Sequence, residues 1–267
     1  MCGVTRSRAP RLIAMAFLTG GDRPVVNARV SDATVLNPKM AGEVNNGDSI
    51  EIQHRGTTNG VLNVEMTRLT LRDPASANIK ILEAQNPTGG TYNLSVSDSV
   101  FTNANPAGGL DGQIRLSGAA NGLKAFNLAV RNTRFSGMGG AIGILNANAV
   151  DAITVMVENS SMSEFISPAG AKPIAAVTVT HPAGKTLGKL IVDLGGGPLG
   201  SRGRNRFVNN PGLDISASNA NATTAPIVVA AANNYWGGGP PAMPADVAVT
   251  GNVTFTAGTH LTRDPAR

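Results

Sequence analysis

The side chains able to carry chemistry are few: 17 acids, 22 lysines and arginines, and three histidines in 267 residues. Acid/base cleavage of a glycosidic bond requires two carboxylates roughly 5–10 Å apart, and a calcium site requires several hard oxygen ligands. Two series of residues recur along the chain and are the first places to look. One reads Ser31, Glu65, Ser97, Arg131, Glu158; the other reads Glu51, Lys80, Arg115, Gly143, Thr178, Asp214. Neither sets two acids side by side. Arg131 beside Glu158 reads as an exposed pair between neighbouring repeats, which contributes a fraction of a kcal/mol at most.

His54 and His181 end equivalent segments and are expected at surface or turn positions, and His260 lies near the end of the chain with no evident partner. No Ser-His-Asp, metal-binding or phosphate-loop pattern is present. Gly195 to Gly197 lack a strand-to-helix context and are expected to form a turn in which the chain passes close to its neighbour. The one tight cluster of like charge is Arg202, Arg204 and Arg206, interleaved with Gly203 and Asn205. These three are the candidate binding residues, set against the plainer reading of a solvated turn. No catalytic residue, metal ligand or cofactor is assigned.

What must position these groups is an internal repeat. Val30-Ser-Asp-Ala-Thr-Val35, Val64-Glu-Met-Thr-Arg-Leu69, Val96-Ser-Asp-Ser-Val-Phe101, Val130-Arg-Asn-Thr-Arg-Phe135 and Val157-Glu-Asn-Ser-Ser-Met162 share a Val, a central Asp or Asn, a small hydroxyl residue and a large apolar end. On this alignment Met66 breaks the Asp/Asn column, and Arg204 stands where that residue falls in a later unit. Between these units run alternating segments: Ile50-Glu-Ile52, Ile79-Lys-Ile81, Ile114-Arg-Leu116, Ile142-Gly-Ile144, Val177-Thr-Val179 and Leu213-Asp-Ile215. Alternation is the period of a half-buried strand. Units of two strands, with a third short one across the bend and no helical pattern between, predict a solenoid in which like residues stack from coil to coil. Asp32, Asp98, Asn132 and Asn159 are then corner residues, with Asn233 in the same column, while Phe101, Phe135, Phe207 and Trp236 point inward as rungs.

Composition agrees: 32 glycines, 16 prolines and 15% charged residues suit strands and turns better than helices. Cys2 is the only cysteine, which excludes an internal disulfide and a cysteine-based zinc site. The net charge of +5 is spread along the chain, so nucleic acid is not expected as a partner. Arg6, Arg8 and Arg11 precede the apolar run Leu12 to Leu18, an order that suits a signal peptide, a short cap or the last strand of an upstream coil. No run is long enough to cross a bilayer as a helix. The expected organisation is an N-terminal segment over 1–25, a β-helix domain over 26–250 and a C-terminal cap or tail over 251–267.

The stretches Asp193-Leu-Gly-Gly-Gly-Pro-Leu-Gly-Ser-Arg-Gly-Arg-Asn-Arg-Phe-Val-Asn-Asn210 and Ala232-Asn-Asn-Tyr-Trp-Gly237 resemble the late coils of right-handed parallel β-helix proteins of the pectin-lyase-like superfamily. The resemblance implies an all-β, right-handed, single-stranded parallel β-helix of roughly seven coils. It also implies a secreted or cell-surface setting and polysaccharide or a surface component as partner. Fold alone does not assign activity. Three expectations follow: a non-catalytic structural or adhesion module; a polysaccharide lyase or glycoside hydrolase relative acting on an acidic polymer; or part of a longer β-helix whose functional coils lie upstream.

Overall fold

Alternating apolar residues with a corner every few positions fold here into stacked coils, each one strand thick. The computed structural model describes residues 13–19, 25–38, 47–54, 60–82, 90–104, 112–117, 123–145, 147–166, 175–222 and 225–265. Met1 to Leu12, with the basic residues of the N-terminal segment, lie outside the described residues.

All strands belong to three parallel sheets. Sheet A stacks Ile13–Thr19, Asp48–His54, Ile79–Leu82, Ile114–Ser117, Ile142–Leu145, Val177–His181, Ile215–Asn219 and Val247–Gly251. Sheet B stacks Val25–Ser31, Val61–Thr67, Thr91–Ser97, Leu123–Arg131, Ala149–Glu158, Leu190–Gly195, Ile227–Ala231 and Val253–Thr256. Sheet C has five short strands, Thr34–Leu36, Thr70–Arg72, Val100–Asn103, Arg134–Met138 and Ser161–Ile166. The chain visits A, B and C in turn, which makes a parallel β-helix. The coil count differs slightly from the roughly seven expected: five coils carry all three strands, and in later turns the third shrinks to single bridges, Ser161 with Arg206 and Arg206 with Tyr235.

The interior is built of ladders. Ile50, Ile79, Ile114, Ile142, Val177, Ile215 and Val247 lie in one register column of sheet A, all fully buried. Burying each contributes roughly 1.5–3 kcal/mol, so the column contributes on the order of 10–20 kcal/mol against the entropy of ordering the chain. Aromatic rungs continue it under sheet C: Phe101 meets Phe135 edge to face at 5.2 Å, and Phe207 stacks on Trp236 at 4.4 Å. All four were expected inside.

The corner between sheets B and C is the same in every coil. One residue adopts a left-handed conformation: Asp32, Arg68, Asp98, Asn132, Asn159, Arg204 and Asn233, with φ between 49° and 60°. Asn and Asp tolerate that region best. Their side chains also join the coils: Asn132 Nδ2 donates to Asp98 Oδ1 at 3.0 Å and Asn159 Nδ2 to Asn132 Oδ1 at 2.6 Å. The next residue turns its N–H inward, where the following coil supplies an acceptor. Leu69 N–H donates to Ser99 Oγ, Thr133 N–H to Ser160 Oγ, Ser160 N–H to Asn205 Oδ1 and Asn205 N–H to Asn234 Oδ1, at 2.9–3.1 Å. A buried backbone donor without such a partner would be costly, which is why the column behind the corner, after Ala33 and Leu69, is polar from Ser99 onward.

Two registers correct the sequence reading. Val30 pairs with Met66 rather than Val64, so Arg68, not Met66, fills the second corner. Val64 and Met66 both point inward, so alternation alone could not choose between them; the corner residue does. Ile215, not Leu213, pairs with Val177, which removes Asp214 from the outward series and places Ser216 beside Thr178.

Candidate functional site

Sheet B alternates strictly in its early coils, so every second residue faces outward. With the corrected register, three outward columns form. The first is Asn27, Asn63, Asn93, Asn127 and Thr154; the second is Arg29, Glu65, Ser95, Ala129 and Met156; the third is Ser31, Thr67, Ser97, Arg131 and Glu158. The first column is a continuous ladder. Asn63 Nδ2 donates to Asn27 Oδ1 at 2.7 Å, Asn93 Nδ2 to Asn63 Oδ1 at 2.7 Å, Asn127 Nδ2 to Asn93 Oδ1 at 2.8 Å, and Thr154 Oγ to Asn127 Oδ1 at 2.6 Å. The first column and, from the second, Glu65, Ser95, Ala129 and Met156 line a groove of about 650 Å³, which Leu199 also borders. That volume lies within the range of ligand sites.

Leu199 reaches the groove because of the glycine-rich turn. Asp193 follows Met156 in the second column, but the turn folds over it and buries it completely. Its carboxylate accepts four backbone N–H groups: Gly195 and Gly197 on Oδ1, both at 3.0 Å, and Leu199 and Ser201 on Oδ2 at 2.9 and 3.3 Å. Four donors on one carboxylate give the turn a fixed shape. The expected close approach is present, since a Cβ on Gly195 would lie 1.9 Å from the Ala232 carbonyl oxygen.

Several surface acids are held by cations of adjacent coils. Arg29 grips Glu65 with contacts of 2.7–3.0 Å, Arg68 grips Asp32 through both carboxylate oxygens at 2.6 and 2.7 Å, and Arg131 Nε donates to Glu158 at 3.0 Å. The hydrogen bonds from Arg68 lower the Asp32 pKa, and Asp32 raises that of Arg68 in return. The Arg131–Glu158 pair is the one expected from sequence. Asp214 differs: it is buried, and desolvation lifts its pKa to about 7 despite the hydrogen bond from Asn210, with Asp246 adding to the rise. It lines neither cavity described here.

The three candidate arginines have separate surroundings. Arg202 is exposed, and its backbone N–H donates to Glu158 Oε2 at 3.3 Å. Arg204 is exposed in the corner column. Arg206 is partly buried, donates from Nε to Asp264 Oδ2 at 2.9 Å, and lines a second cavity of about 580 Å³ with Tyr235, Arg263 and Asp264. His181 corrects another expectation: it is buried, its Nδ1 lying 2.8 Å from the Ala147 carbonyl oxygen, because it ends its strand on an inward position. The side chain of His54 lies outside the described residues, and His260 is tied to Asn234 by a backbone bridge. Among the described residues, no three His, Cys, Asp or Glu side chains gather as a metal site would require.

The asparagine ladder was missed in the sequence. Its signal was there: Val26-Asn27, Leu62-Asn63, Tyr92-Asn93 and Phe126-Asn127 each stand three residues before the inward residue that ends the strand pattern. Anchoring the second repeat on Val64 moved Asn63 out of line and hid it. No protein-family model matches the chain, and neither does any curated protein or solved structure.

Proposed function

We propose that the chain is a non-catalytic parallel β-helix module that works by presenting and binding rather than by cleaving bonds, as a structural or adhesion element of a secreted or surface-exposed bacterial protein. One observation carries this reading. Each of the two cavities described above among the described residues is lined by a single carboxylate, Glu65 or Asp264, and each of these is ion-paired, with Arg29 and Arg206 respectively. Glycoside hydrolysis needs two converging carboxylates, one of them free to exchange a proton. The likeness to the late coils of pectin-lyase-like proteins supports the extracellular setting. It also supplies the competing reading, an enzyme acting on acidic polysaccharide. Incubation with acidic and neutral polysaccharides, followed by reducing-end release and by the ultraviolet absorbance of unsaturated products, is expected to show no turnover. Turnover of any of them would sink the proposal, and its loss in Glu65→Gln would place a lyase or hydrolase site in the groove.

A further inference from the structure

The ladder on sheet B keeps hydrogen-bonding capacity that its own rungs do not use. A carboxamide has two N–H donors and two acceptor lone pairs. In Asn63 and Asn93 one N–H is spent on the preceding coil, and one lone pair receives the amide of the next. Each therefore retains one donor and one acceptor on a side chain that is part-exposed to the groove. The ladder repeats these pairs once per coil, at about 4.7–4.9 Å. The amides are held in place by one another, so little ordering cost remains to be met on binding.

Groups that both donate and accept suit this array best. A hydroxyl does both, an ionised carboxylate only accepts and an ammonium only donates. Charge points the same way, because the groove lining has one acid, Glu65, doubly held by Arg29. Nothing in the lining would repay the desolvation of a polyanion. Alongside the ladder, Ser95 and Ala129 are small, and Met156 and Leu199 offer apolar surface. A hydroxylated ring, polar at its edge and apolar on its C–H face, meets both kinds of surface, and a pyranose is about as long as a coil is thick.

We infer that the outer face of sheet B binds an extended, uncharged polyhydroxylated polymer, a linear neutral polysaccharide, lying along the solenoid axis with its units in step with the asparagine rungs. This rests on the non-catalytic binding role proposed above and names its ligand. It departs from the acidic polymer of the alternative lyase or hydrolase reading.

Affinity electrophoresis of the full chain through gels containing hydroxyethyl cellulose, β-1,4-mannan or polygalacturonate tests it. Retardation is expected by at least one neutral polymer, insensitive to added salt. Asn93→Leu removes a rung, and Ser95→Trp fills the groove without touching the ladder. Each is expected to weaken retardation about tenfold or more, the equivalent of about 1.4 kcal/mol. Thermal melts establish that each variant is folded, and if Asn93→Leu is not, Ser95→Trp decides. Failure of both neutral polymers to bind overturns the inference. So does neutral binding that Ser95→Trp leaves intact, or binding only to polygalacturonate that fades with salt. Self-association abolished by Ser95→Trp, without glycan binding, would assign the face to a second copy instead. Bond cleavage in the same incubations would defeat the non-catalytic role, while loss of retardation in Ser95→Trp would still support the groove.

Discussion

Asparagine does two different jobs at two places in this solenoid. On the outer face of sheet B, Asn63, Asn93 and Asn127 bond to like side chains and keep capacity in reserve. At the late corners Asn205 and Asn234 are fully buried and committed to backbone. Asn205 accepts from Ser160 N–H and donates to the carbonyls of Val157 and Leu194 at 3.0 and 2.7 Å, while Asn234 donates to the Ala231 carbonyl at 2.9 Å. A polar residue with every bond satisfied inside the protein is structure, whereas one with bonds left over at the surface is an invitation. The late coils need this internal pinning because there the glycine-rich turn departs from sheet B and must be brought back to the corner.

That contrast can be broken most sharply at Asn205. Asn205→Ala takes the side-chain partner from the Ser160 N–H and from the Leu194 carbonyl, while the Val157 carbonyl keeps Ser201 Oγ, and is expected to cost about 4 to 5 kcal/mol in a denaturant melt. A loss near that of an exposed rung would erase the distinction. Asp214, buried beside the late coils, gives the next largest effect. Its folded pKa of about 7 lies above the ordinary value of 3.8, so between the two the folded state holds a proton that the unfolded state has released. The stabilisation is complete below the unfolded pKa and is lost as pH rises toward and through about 7, a change on the order of 4 kcal/mol. Asp214→Asn should flatten that slope and raise the melting temperature at pH 8 relative to the parent. A parent stability that climbs from pH 4 to pH 7 would contradict this.

Asp32 runs the other way. Arg68 lowers its pKa, so its small contribution is present above the unfolded value and is lost as pH falls through the folded one. On the outer face the expected stability effects shrink. Asn93→Ala should cost about 1 kcal/mol or less by chemical denaturation, because water replaces the lost bonds. Arg29→Ala, which removes the exposed grip on Glu65, should change stability by about 0.5 kcal/mol or less. If Asn93→Ala proves as damaging as Asn205→Ala, the ladder is a structural brace and its value as a binding surface falls.

The architecture was legible because stacked coils repeat their demands. Each corner requires a left-handed residue, and Asp32, Asp98, Asn132, Asn159 and Asn233 answer with side chains that tolerate one. Arg204 was placed correctly at a corner, but Arg68 was not. An arginine gives no hint of positive φ in sequence, and its fit here is accompanied by the Asp32 contact, which exists only after the coils stack. The burial of Asp193 was equally invisible, since an acid in an outward register looks exposed until eight residues fold over it. The groove escaped notice for the smallest reason, a two-residue shift at Val64, which moved one asparagine out of its column.

The uniform B-to-C corner has a consequence for how the molecule can vary. Successive corner residues from Asp32 to Asn233 are separated by 36, 30, 34, 27, 45 and 29 positions, yet in the five coils with a sheet C strand the corner is the same two-residue step. In those coils chain length is absorbed in the other connecting segments, whereas before Arg204 the path from sheet B to the corner itself is lengthened. In the 45-residue interval, which includes Leu190–Gly195 and the turn closed by Asp193, the chain leaves sheet B, borders the groove and returns to index at Arg204. The scaffold thus already hosts one graft without re-phasing its neighbours. Segments of foreign sequence exchanged between Gly195 and Gly203, with the Asp193 clasp kept, would change the groove wall while leaving the rungs in step.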